Sequence, residues 1–84
     1  MTTRELISSI PEANKHTLEV YSDIIASSTV RGLQTEVEKR ANELHGYLTC
    51  MKDAGTITEY GLRALFLWYR SARVDKTIKE GAVL

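Results

Sequence analysis

Eighty-four residues, with eleven basic and eleven acidic side chains and 43% apolar content, make a neutral chain of globular composition. That length allows a single domain, residues 1–84, and a domain so small buries only about 60% of the surface its unfolded chain exposes, so it gains much from a partner. One cysteine excludes an internal disulfide, a neutral total disfavours general phosphate binding, and the chain has no apolar run long enough to span a membrane.

The pattern predicts an all-α chain: a short N-terminal helix and three main helices, arranged as an antiparallel hairpin or bundle and completed by oligomerisation. No window alternates apolar and polar residues in the manner of a strand. Thr2 and Glu5 have capping-box spacing, and a helix over about 3–9 follows with Leu6, Ile7 and Ile10. Pro11 ends it by pushing Ile10 out of the helical region. A second helix then begins, with Pro11 in its first turn or Asn14 as its cap, and presents Leu18, Tyr21, Ile24 and Ile25.

At 100° per residue, Leu18, Tyr21 and Ile25 fall on one side of a cylinder, and Val30, Leu33, Val37, Leu44 and Leu48 on the other. One straight helix cannot give both stripes to one core, so a break is expected at Ser27–Thr29. The next helix, about 29–54, carries Val30, Leu33, Val37, Ala41, Leu44, Leu48 and Met51 at steps of three and four, with Tyr47 at the edge and Gly55 as the stop. Within it Glu36 can reach Arg40 at i,i+4. Thr56 with Glu59, or Thr58 alone, caps a last helix expected to run to about Lys79, before Gly81 and a frayed tail.

The last helix is apolar on two sides. Leu67, Tyr60, Ala64, Ile57, Trp68, Ala72 and Leu65 sweep a wide face, and Leu62, Phe66 and Tyr69 form a second strip. One intramolecular core covers one face, which is expected to be the wide one. The second strip is then covered either by Leu6, Ile7 and Ile10 of the first helix or by another molecule. Self-association is accordingly expected through Leu62, Phe66 and Trp68. Arg40, near the apolar stripe of its helix, either snorkels or pairs with an acidic residue of another subunit. Arg63, Arg70 and Arg73 around Tyr69 are the expected contacts for a second protein, since arginine and aromatics dominate interface hot spots. The same basic face, with Lys76, offers a nucleic-acid groove as the alternative. Charge is also divided along the chain: residues 1–38 hold three basic and six acidic groups, and residues 39–84 hold eight and five.

Catalytic and metal chemistry finds little support. Cys50 and His45 lie on different sides of their helix, His16 sits in a polar stretch, and no cluster has metal-ligand spacing. No nucleophile elbow, phosphate loop or H-E-x-x-H is present, so neither enzyme activity nor a cofactor is expected. A helix-turn-helix over 44–69 is disfavoured by Met51 and Gly61, which stand where that motif wants a small and a branched residue. A lone thiol and no signal-peptide pattern point to the cytoplasm.

The stretch Ser28-Thr29-Val30-Arg31-Gly32-Leu33-Gln34, continued by Arg40-Ala41-Asn42-Glu43-Leu44-His45-Gly46, resembles the small helical antirepressors of enterobacterial temperate phages. The resemblance implies a protein that binds a phage repressor and removes it from its operator without itself touching DNA. It assigns no individual residue a role. A dimer or tetramer that also binds a second protein is the expectation that follows.

Overall fold

The computed structural model describes residues 2–83, and the side chains of residues 2–71. Four helices follow in order: α1 Thr3–Ser9, α2 Glu12–Val30, α3 Gln34–Asp53 and α4 Glu59–Val83. No strand occurs among the described residues, and no helix there is long and apolar enough to cross a membrane.

Local chemistry explains each start and stop. The Thr2 hydroxyl accepts from the Glu5 amide at 3.2 Å, and the Glu5 carboxylate accepts from the Thr2 amide at 3.3 Å, completing the capping box. Ile10 is extended, as the following proline requires. Pro11 stands at the N-cap of α2, not within its first turn, and its carbonyl accepts from the Lys15 amide at 3.0 Å. Asn14 is no cap. It lies inside α2, where its amide donates to the Tyr47 hydroxyl at 2.8 Å and ties α2 to α3.

The break between α2 and α3 comes later than the sequence pattern suggests, at residues 31–33 instead of 27–29. Gly32 is the cause. With φ at +72° it turns the chain left-handed, its amide donates to Thr29 at 3.1 Å, and the Leu33 amide donates to Ser28 at 2.9 Å. This is the paired hydrogen-bond arrangement that closes a helix on glycine. Gly55 repeats it at the end of α3: φ is +79°, and the Gly55 and Thr56 amides donate to Lys52 and Met51 at 2.9 Å each. Because α3 begins only at Gln34, Val30 and Leu33 do not join its buried stripe and are 49% and 38% exposed. Thr58, the alternative cap, is the one used at α4, accepting from the Gly61 amide at 3.0 Å. The helix continues through Gly81 to Val83, since a single interior glycine weakens a helix without obliging it to stop.

The core takes Leu6 and Ile10 from the N-terminal segment, Leu18 and Ile25 from α2, and Val37, Ala41, Leu44, Leu48 and Met51 from α3. Leu62, Leu65 and Tyr69 complete it from α4. The α2–α4 contact is the most extensive, and α1 packs chiefly on α4. Two buried positions of α2 are polar, Ser22 and Ser28. Ser22, 1% exposed, has a hydroxyl with no hydrogen-bond partner. Leaving such a group dry costs about 1–3 kcal/mol. Ser22→Ala is therefore expected to stabilise the fold by about 1 kcal/mol, visible as a raised urea midpoint with unchanged slope.

Candidate protein-binding face

Helix α4 presents two strips to opposite sides, and the structure assigns them the reverse of the sequence expectation. At 100° per residue, Leu62, Leu65 and Tyr69 point one way, and Tyr60, Ala64, Leu67 and Ser71 point about 180° away. The first set is buried, at 4%, 0% and 5% exposure. In the second set Tyr60 and Leu67 are each 67% exposed, and Trp68 at its edge is 45% exposed. The narrow strip is thus the inner one; of the wide face Leu65 is buried, Ile57 and Ala64 are partly buried against the core, and Tyr60, Leu67 and Trp68 are turned to solvent. Packing by α1 contributes to this choice, since Leu6 lies over Gly61 at the start of the inner strip.

Several expected contact residues change role in consequence. Leu62 is a core residue and is not available to a second copy. Tyr69 is likewise in the core and not on a partner-binding surface. Phe66 is half-buried at the rim, where His45 meets its ring edge-on at 5.3 Å and the Arg70 guanidinium lies 5.9 Å from its centroid. Trp68 alone of the three expected assembly aromatics and aliphatics on α4 stands well exposed. Arg40 finds its acidic partners inside its own helix. Its Nη1 donates to Glu43 at 2.6 and 3.0 Å, and its Nε stands 3.4 Å from Glu36, a charge contact without hydrogen-bond geometry. The hydrogen bond that Arg40 donates to Glu43 raises its pKa further, so this group stays charged at any ordinary pH.

Arg63 and Arg70 are exposed as expected, flanking the outer strip. Arg63 reaches Glu59 at 3.5 Å, and the other Glu59 oxygen accepts from Lys52 at 3.0 Å. The Lys52 hydrogen bond holds the Glu59 carboxyl below the usual carboxylate range. Half of the described basic face is therefore already countered within the chain, which weakens it as a phosphate groove. The side chain of Arg73 lies outside the described residues.

Together Thr3, Tyr60, Arg63, Ala64, Leu67, Trp68 and Ser71 line one open groove along α4. Its lining combines apolar side chains with the hydroxyls of Thr3, Tyr60 and Ser71, one arginine and one tryptophan. What such a groove can do is receive an apolar ridge, such as another helix. Cys50 is a free, exposed thiol and His16 is also exposed, with neither placed beside this groove. Among the described residues no group of three or more His, Cys, Asp or Glu could hold a metal ion. The exposed strip was on the page in the sequence as the wide face of α4. The inner-versus-outer choice was not.

No protein-family model matches the chain, and neither a curated protein nor a solved structure matches it.

Proposed function

We propose that this chain is a non-enzymatic regulator that works by binding protein, with the outer face of α4 as its contact surface. The observation that carries this is the exposure of Tyr60, Leu67 and Trp68 along one strip directly opposite the core. Large apolar and aromatic side chains rimmed by arginine are the composition of interface hot spots. In its concrete form the chain is a phage-type antirepressor, associating with itself and sequestering a transcription repressor, as the resemblance over residues 28–46 implies. Arg63 and Arg70 then favour an acidic surface and hasten encounter.

Trp68 is the only tryptophan, so its emission reports on this surface directly. The test titrates the purified chain with a helix-turn-helix repressor of a temperate phage, bound to its operator DNA. A blue shift of Trp68 emission and release of the operator are expected, and both should be lost in Trp68→Ala or Leu67→Glu, the former scored by operator release alone. No shift and no release would overturn the antirepressor form. Binding of the chain itself to DNA, with a steep salt slope, would put the nucleic-acid alternative in its place.

A further inference from the structure

An α-helix on its own is a convex cylinder, so a groove along one side of it needs a second element standing beside it. On the outer face of α4 that element is α1. Six of the seven residues lining the groove belong to α4, and the seventh, Thr3, is the first residue of α1. Leu6, one turn on, fixes where Thr3 stands. It is the buried side chain of α1, and its Cδ2 lies 3.7 Å from where a Cβ on Gly61 would be, one residue from Tyr60 of the groove. Thr3 therefore reaches the groove only while Leu6 is seated. Thr2 and Glu5 close the capping box around this same turn. Helix α1 frames the outer strip and does not cover it, since Tyr60 and Leu67 remain 67% exposed with α1 in place.

We infer that α1 is a movable wall of the protein-binding groove, and that a helix of the partner is gripped between α1 and α4 only while α1 is docked. This rests on the outer face of α4 being the contact surface, and names the device that controls it. Movement is built into the chain. Seven residues are too few for a helix to persist alone, so α1 is helical because it is docked. Ile10, with ψ 140°, and Pro11, with ψ 145°, stand between the two helices, so α1 can leave without unwinding α2. With α1 in place, a partner helix meets α4 beneath it and the first turn of α1 at its side. With α1 away, it meets a convex ridge and loses the side contact. Binding and docking are thereby linked. A partner that needs the wall holds α1 down, and whatever loosens α1 weakens the partner by the same free energy.

Acrylamide quenching of Trp68 in the full chain tests the wall, and a helix-turn-helix repressor of a temperate phage tests the grip. Trp68 lines the groove together with Thr3 and is the only tryptophan. Leu6→Asp sets a carboxylate against the apolar seat and should undock α1, with loss of α1's share of the helical dichroism alone. Quenching of Trp68 should then rise, and repressor affinity should fall about tenfold or more as the docked fraction falls. Thr2→Ala leaves the groove lining intact and keeps the test open should Leu6→Asp unfold the chain. By removing the cap it should lower the docking equilibrium about fivefold, moving both readouts in the same direction by a smaller step. Unchanged quenching in a variant that has lost the α1 helix overturns the wall. So does a repressor that binds the wild type and both variants alike. If the repressor binds none of the three, the antirepressor form of the function falls, and the quenching series still decides the wall.

Discussion

Leu65→Ala is expected to cost about 2–5 kcal/mol of folding stability, and Leu67→Ala, two residues away, less than about 0.5 kcal/mol. Leu65 is fully buried in the core, so truncation loses its transfer energy and leaves a cavity. Leu67 is 67% exposed and loses little. Native domains are stable by only about 5–15 kcal/mol, and this one is small, so the Leu65 variant should approach half-unfolded at ambient temperature. Urea unfolding checks both, at a protein concentration low enough that assembly contributes nothing. The contrast is sharp because the sequence alone puts both leucines on one wide face. Equal losses at the two positions would mean that α4 is rotated about its axis from the orientation described. Leu62→Glu belongs with Leu65→Ala: it places a charge in the core and should unfold the chain, not merely loosen an assembly.

Gly32→Ala and Gly55→Ala should each destabilise by about 1–2 kcal/mol, the cost of a left-handed conformation for an L-residue. Neither site crowds an added methyl, since a Cβ at either would have nothing within 4 Å, so the loss is one of backbone alone. The two end different helices and should add when combined. Gly46 gives the opposite sign. It lies inside α3 with open space beside it, and Gly46→Ala should stabilise by about 0.5–1 kcal/mol through the unfolded chain's lost freedom. Thermal melts resolve these differences, since 1 kcal/mol moves the midpoint of a domain this size by about 4–8 °C.

The same glycines show what the amino-acid pattern can and cannot say. Gly32, Gly46, Gly55 and Gly61 are alike in composition, yet two end helices and two lie within them. Gly55 was legible because the apolar stripe of α3 ends at Met51 and Thr56–Glu59 restarts the chain. Gly32 was not, because Val30 and Leu33 on either side of it happen to continue the stripe of α3 at helical spacing. The conflict between the two stripes still revealed that a break had to exist. For α4 the limit is different in kind. Periodicity resolves two apolar strips and their angular separation, but the inward strip is chosen by what the rest of the chain can cover. The more apolar face, with Leu67, Trp68 and Tyr60, lost to the narrower one. The charged residues flanking the candidate face, Arg63 and Arg70, were correctly placed outside, since their position follows from charge alone. Arg40, expected either to snorkel or to meet an acidic residue of another subunit, pairs instead with Glu43 three residues along its own helix, beside the Glu36 that the i,i+4 spacing offered.

Helix α1 holds on by one side. It has seven residues, is joined to α2 through Ile10 and Pro11, and packs chiefly on α4. A helix so short has almost no stability of its own, so its order is borrowed from Leu6 against the α4 surface. Its amide protons should accordingly exchange with solvent through a local opening far less costly than global unfolding, while those near Leu44, Leu48 and Leu65 wait for the whole chain to open. Each such opening bares the buried flank of Gly61 and the α4 surface around it while the α2–α3–α4 body stays folded. The molecule therefore carries, directly beside its exposed strip, a second apolar area that is covered most of the time and uncovered on its own schedule.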